Sequence, residues 1–258
     1  MSIYGMSTAA WGAGLMIFAA QVVAESSLEG HVRWLQRAEL STLVSGVVKQ
    51  VAVVPGDRVS KGDLLVQLEQ GALRAEVGQA EAELAFQRAA LEEAERELER
   101  TRELYDRTLL SDHDLELAKI TSARAKAAYR RANAQLADAG ERLRYSAVRA
   151  PFDGVVLSRN IEPGQTVVTR LQSVPLVAIG GTGKLLARAE VSADRLAGIA
   201  AADEIRVQVG ERQYRGEIYN VGVEPLIPGG DRYSVDVLFL PASERTPRIG
   251  QPVVMDFP

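Results

Sequence analysis

The 258-residue sequence contains no cysteine. This excludes disulfides, thiolate metal sites and cysteine nucleophiles, and leaves the redox compartment open. Only two histidines occur, His31 and His113, far apart in the chain. Past residue 24 the only methionine is Met255, so no soft-metal site is expected. Aromatic residues make up 5%, too few for a large aromatic core. The net charge is −4 and the pI about 5.4, so the basic footprint that phosphate binding needs is missing and no nucleic-acid partner is expected. No catalytic constellation stands out. Ser111, His113 and Asp114 crowd together, but at a helix N-terminus they read as cap residues, and no oxyanion-hole motif accompanies them. The glycine-rich run GGTGK, 180–184, lacks phosphate-loop spacing and reads as an interdomain turn. The chain is therefore read as a non-enzyme that needs no cofactor and no metal.

What is present begins at the N-terminus. Residues 8–24, TAAWGAGLMIFAAQVVA, carry no charged side chain and end in the small-residue pattern Val22-Val23-Ala24. This is read as a signal peptide over 1–24, with an uncleaved membrane anchor as the alternative, because the run is marginal for a span. The absence of a cysteine after it rules out a lipoprotein anchor.

A repeat follows. SGVVKQVAVVPGDRV (45–59) and DGVVLSRNIEPGQTV (153–167) share G-V-V, six residues, P-G, two residues and Val. Gly46 matches Gly154, Pro55 matches Pro163, Gly56 matches Gly164 and Val59 matches Val167, at an offset of 108 throughout. Each copy reads as short strands punctuated by Pro-Gly turns. One copy is too small to bury a core, but two copies about a pseudo-two-fold axis make a compact β-sandwich. The segments GDRVSKGDLLVQLE (56–69) and VRAPFDGVV (148–156) resemble the two halves of a biotinyl/lipoyl domain. Carriers of that fold bear a modified lysine on the hairpin between the halves. Here the first half ends Glu69-Gln70-Gly71-Ala72, without lysine, so a biotin- or lipoate-carrying enzyme component is the weaker reading.

Between the copies lie about 75 residues with a heptad pattern. Val77, Leu84, Leu91, Leu98 and Tyr105 recur every seven, with Ala80, Gln87, Ala94 and Thr101 as companions. Leu115, Ser122, Tyr129, Leu136 and Leu143 repeat the scheme, with Ala118, Ala125, Ala132 and Ala139. A short connection makes the two helices antiparallel, a rod of roughly 50 Å. Residues 72–107 carry ten acids and six bases, and residues 111–146 five acids and seven bases, a bias that favours their contact.

The tip of this hairpin carries Leu104, Leu109 and Leu110, where only water is expected. The heptad phase puts Arg100 and Leu104 on the outer face. Ser111 opens Ser111-Asp112-His113-Asp114, a capping box, and Leu110 with Leu115 occupies the positions of a hydrophobic staple. Leu104 and Leu109 are left as candidates for a recognition patch.

Residues 180–258 alternate like half-buried antiparallel strands: EIRVQV (204–209), RYSVDVLF (232–239) and PVVMDF (252–257). SADRLAGIA (192–200) reads as one short helix behind Ser192, and HVRWLQRAEL (31–40) as a strand joining this group. The expected fold is α+β, multidomain and elongated. A β-barrel takes 25–40 and 180–258, a lipoyl-like domain takes 41–69 and 147–179, and a coiled-coil α-hairpin, 70–146, is inserted in the latter.

Arg100, Leu104 and Ser111 are spaced R-x3-L-x6-S, which resembles the hairpin-tip motif of periplasmic adaptor proteins, also called membrane fusion proteins (HlyD-like), of tripartite efflux pumps. The resemblance implies that these three residues, with Leu109 and Leu110 as possible further contacts, meet a TolC-type outer-membrane channel. It also implies an inner-membrane transporter as second partner, self-assembly as a hexamer or trimer of dimers, and a periplasmic place at the inner membrane of a Gram-negative-type envelope. A proton-driven resistance-nodulation-division pump is the favoured transporter, and an ATP-driven exporter or type I secretion system the alternative. The sequence stops at Pro258, just past the last barrel strand, and so resembles an adaptor without a membrane-proximal domain. A purely structural coiled coil is the third reading; it leaves the 108-residue repeat without a purpose.

Overall fold

The structure, a computed structural model, describes residues 27–169, 174–199, 205–241 and 247–257. The signal or anchor reading of residues 1–24 lies outside them. The described chain opens with β1 (Ser27–Trp34), β2 (Arg37–Leu40), β3 (Gly46–Val51), β4 (Arg58–Val59) and β5 (Leu64–Leu68). The long helices α1 (Gly71–Asp106) and α2 (Asp112–Tyr145) follow. Then come β6 (Ala147–Arg149), β7 (Gly154–Arg159), β8 (Thr166–Val167) and β9 (Val177–Gly181). The last group is β10 (Leu185–Ser192), the short helix α3 (Ala193–Ile199), β11 (Ile205–Val209), β12 (Arg212–Val221), β13 (Arg232–Phe239) and β14 (Pro252–Asp256).

The sequence repeat becomes a pseudo-two-fold axis. Gly46 of β3 pairs with Val167 of β8, and Gly154 of β7 pairs with Val59 of β4. The turns repeat the exchange: Gly56 N–H donates to the Val156 carbonyl and Gly164 N–H to the Val48 carbonyl, both at 2.8 Å. Even the turn side chains correspond. Val54 N–H donates to the Asp57 carboxylate at 2.8 Å, and Glu162 N–H to the Gln165 side-chain oxygen at 2.9 Å. Gly56 and Gly164 have φ of 99° and 86°, the left-handed region that the Pro-Gly turns anticipate. Each copy lends one strand to each sheet of the sandwich, β2-β9-β7-β4 and β6-β5-β3-β8, so neither copy closes a core alone. The shared core contains Val48 and Val156, Val59 and Val167, matched across the axis, together with Leu65, Leu68, Leu176 and Ile179.

The second body is a closed antiparallel barrel, β1-β10-β13-β12-β11-β14. Alternation fills it: Ile205, Val207 and Val209 from β11, Val235, Val237 and Phe239 from β13, and Val253 and Met255 from β14 are buried together. Asp236 is the polar exception, 2% exposed, and Arg188, opposite it across the β10–β13 pair, holds its carboxylate with two bonds of 2.6 and 2.8 Å.

One sequence expectation is corrected here. Residues 31–40 are not a single barrel strand. β1 ends at Trp34 within the barrel, and β2 pairs with β9 in the sandwich. The break falls where the Gln36 carbonyl accepts from Gly181 N–H at 2.8 Å, beside the glycine-rich turn that takes the chain from β9 to β10. The joint between the two bodies is tight. A Cβ on Gly180 would sit 2.5 Å from Cε2 of Trp34, so the indole lies against bare backbone.

The third body is the hairpin. No proline interrupts the chain between Pro55 and Pro151, so the helical ladder runs unbroken. The seam follows the heptads. Leu98, Thr101, Ser122, Ala132 and Ala139 are buried, and the other expected seam positions are half-buried. The opposite charge bias of the helices does not become cross-pairing: the ion pairs, such as Arg88–Glu92, Arg96–Glu93 and Arg142–Asp138, run within one helix at i,i+3 or i,i+4. At its base Ser146 is fully buried, accepting from the Gln70 side chain at 2.8 Å, and Thr42 donates to the Tyr145 carbonyl at 2.8 Å.

Candidate functional site at the hairpin tip

Five residues, 107–111, connect α1 to α2. The turn is built from backbone bonds at the end of α1. Thr108 N–H donates to the Tyr105 carbonyl at 2.7 Å and Leu109 N–H to the Leu104 carbonyl at 3.0 Å. This is a Schellman motif, in which the residue after the C-cap is left-handed and usually glycine. Here that residue is Thr108, with φ of 59°, the one described non-glycine residue at positive φ. A β-branched side chain is strained there.

The start of α2 is fixed from the other side. Ser111 is extended, its hydroxyl accepts from Asp114 N–H, and the Asp114 carboxylate accepts from Ser111 N–H at 3.0 Å. The expected capping box is present. The hydroxyl also donates to the same carboxylate at 2.6 Å, and these Ser111 bonds hold the Asp114 carboxyl below the ordinary carboxylate range. His113 stands exposed beside this cap. Across the hairpin, Tyr105 donates to Asp112 at 2.6 Å; that bond, and the charge behind it, raises the phenol above its ordinary value.

The tip motif is distributed over this frame. Arg100 is exposed on α1, its guanidinium 3.8 Å from the Glu97 carboxylate, a loose contact that leaves its donors available. Leu109 is 66% exposed at the apex. Leu104 is half-buried and does not stand free on the outer face as the heptad phase suggested. The reason is the Schellman turn, which folds the connection back against the last turn of α1 and places Leu109 beside the Leu104 carbonyl. Leu110 is half-buried too. It lines a cleft of about 310 Å³ between the helices with Leu98, Thr101, Leu117 and Ala118. Leu117 and Ile120, both exposed on α2, extend this apolar tip and were missed in the sequence. Their signal was there: both are apolar and out of phase with the 115, 118, 122 seam.

A two-helix rod leaves a sandwich at the point where lipoyl-type folds turn a hairpin, and a barrel flanks the sandwich. The family model for the CzcB-like barrel-sandwich hybrid domain matches residues 36–178, more than half of the chain. The chain belongs to that family. Among curated relatives, the nodulation protein NolF of Rhizobium meliloti (strain 1021) is 31% identical over 211 residues, 81% of this chain and 56% of that protein. The macrolide export protein MacA of Escherichia coli O157:H7 is 27% identical over 199 residues, 72% of this chain and 52% of that protein. This chain thus spans about half the length of these relatives. Among solved structures, the membrane fusion protein Spr0693 of Streptococcus pneumoniae R6 superposes with a TM-score of 0.69 at 18% identity, covering 90% of this chain and 98% of that one. That likeness establishes a shared fold. The resemblance to membrane fusion proteins is borne out at the level of the family. Among the described residues no helix is long and apolar enough to cross a membrane.

Proposed function

We propose that the chain is a periplasmic adaptor that links an inner-membrane transporter to a TolC-type outer-membrane channel in efflux. The observation that carries this reading is the tip: exposed Arg100 and Leu109, with half-buried Leu104 and the Ser111 cap, held by bonds at both helix ends. The mechanism is geometric rather than catalytic. Barrel and sandwich bodies of several copies, six or three pairs, form a ring, and the hairpins project to hold the channel. Arg100 supplies donors for carbonyls or carboxylates at a helical end, while Leu104, Leu109 and the exposed Leu117 offer apolar area to the sides of channel helices. A proton-driven resistance-nodulation-division pump fits a hairpin of this moderate length. An ATP-driven exporter or type I secretion system is the second reading.

The test is photo-crosslinking in cells from position 109, with mass spectrometry of the captured protein. A helical outer-membrane channel supports the reading, and Leu109→Asp at the same site should abolish the capture of that channel from a crosslinker at position 117. Capture of this chain alone would mean that tips pack on sister copies and would remove the bridging role.

A further inference from the structure

The register places the start of β1 and the β12–β13 connection at one end of the barrel. Trp34 faces Leu185 at the end that adjoins the sandwich. At the opposite end, Ser192 pairs with Arg232 and β1 begins at Ser27 beside Asp256. The connection from β12 to β13, residues 222–231, lies at this far end, tied to the start of α3 by Ala193 N–H donating to the Asp231 carbonyl at 3.0 Å.

This connection reads GVEPLIPGGD and presents apolar side chains to solvent. Val223 is 94% exposed, Ile227 72% and Leu226 44%, with Tyr219 of β12 exposed below them. Its backbone is nevertheless ordered by internal bonds. Gly222 N–H donates to Ser234, Leu226 N–H to Arg232 and Gly230 N–H to Ile227, at 2.7–2.8 Å. Pro225 and Pro228 have no N–H to satisfy. Three of the eight N–H groups of residues 222–231 are bonded in this way, and the outward aliphatic side chains suit the headgroup–acyl boundary of a bilayer, where the remaining donors still meet water and headgroups. The second feature is in the sequence: the uncharged apolar run 8–24 ends two residues short of β1, whose start lies at this same barrel end. Read as the uncleaved anchor, the alternative to a signal peptide, that run joins the described chain at the end where the apolar loop is displayed.

We propose that the β12–β13 loop is a membrane-contact element, inserting Val223, Leu226 and Ile227 into the lipid surface beneath the barrel. This deepens the inner-membrane placement proposed above and rests on it. The occupant is lipid, because the exposed side chains Val223, Leu226 and Ile227 are aliphatic and the uncharged run 8–24 leads into the chain at the same barrel end.

The chain has no cysteine, so Ile227→Cys in the full-length protein gives a unique thiol for an environment-sensitive fluorophore. The label is mixed with protein-free phosphatidylcholine–phosphatidylglycerol vesicles, with and without brominated acyl chains. The expected result is a blue shift and quenching by the brominated chains. The same label at position 54, an exposed valine in the sandwich, should remain aqueous and unquenched. Adding Val223→Asp and Leu226→Asp should weaken quenching of the 227 label about ten-fold or more at equal lipid. Three results would overturn the proposal: a label that stays in water with vesicles present, a shift seen only with vesicles carrying membrane proteins, or a blue shift already in buffer. The second would assign the loop to a protein partner, the third to a second copy. The vesicles contain no channel, so failure here leaves the tip reading standing, and failure of the crosslinking leaves this result intact.

Discussion

Tyr105 at the end of α1 donates to Asp112 at the start of α2 across 2.6 Å, so the two helices are joined by a side-chain bond at the apex itself. It spans the five-residue connection without touching its backbone. Tyr105→Phe should therefore speed hydrogen exchange of amides 104–112 and leave the barrel unchanged. The raised phenol value fixes the sign of the pH dependence. The contribution is complete below the ordinary tyrosine value and is lost as pH rises through the raised one. Tyrosinate absorbance should show one late-titrating group, and Asp112→Asn should return it toward the ordinary range.

Thr108 in the left-handed region is a strained choice for a Schellman turn. Thr108→Gly should stabilise the hairpin by about 1 kcal/mol, measured as slower exchange of the Leu109 amide. If the amide exchanges faster, the turn is held by the Thr108 hydroxyl, which donates to the Arg107 carbonyl, more than it is strained by the backbone.

Ser111→Ala removes the cap of α2 and should cost about 1 kcal/mol of hairpin stability. Because Asp114 is lowered by Ser111, the wild-type cap contributes above the ordinary carboxylate value and is lost as pH falls through the lowered one. Acid titration of helicity should therefore show a step in the wild type that is reduced in Ser111→Ala. Channel capture from position 109 should survive this variant at neutral pH if Ser111 acts only as a cap, and fall if its hydroxyl also touches the partner.

Gly180→Ala puts a methyl 2.5 Å from the Trp34 ring. Either the indole swings out or β1 shifts, at a cost of roughly 1–3 kcal/mol. A red-shifted Trp34 emission, read in a Trp11→Phe background, would report the opened joint. An unshifted emission would mean that the sheet absorbs the methyl by sliding.

The sequence made the repeat legible because two-fold pairing needs the same turn twice. Gly56 and Gly164 had to match, as did Val59 and Val167. The hairpin seam was legible because a thin rod has only one apolar stripe to show, and Leu84 and Ala132 sit where seven-residue spacing puts them. The boundary at Leu35 and Gln36 was not legible. Both β1 and β2 alternate, and alternation does not say which sheet a strand joins. Leu104 was misplaced for a related reason: helical phase assigns a face only while the helix continues, and two residues later this one ends. The Tyr105–Asp112 bond was hidden because it depends on how the connection turns, and Thr108 gives no glycine to mark a left-handed position.

The base of the hairpin has a consequence for how the chain folds. Gln70 and Ser146 are bonded although 76 positions apart. A sandwich whose halves are so separated would pay the closure entropy of a long loop before any strand could pair. A helical hairpin forms from local contacts, faster than sheets assemble from distant ones. Once it has zipped from its five-residue turn, β5 and β6 are delivered side by side with only a few residues left to order. The rod is then a folding splint as well as a reach, and substitutions along its seam should slow closure of a sandwich they never touch.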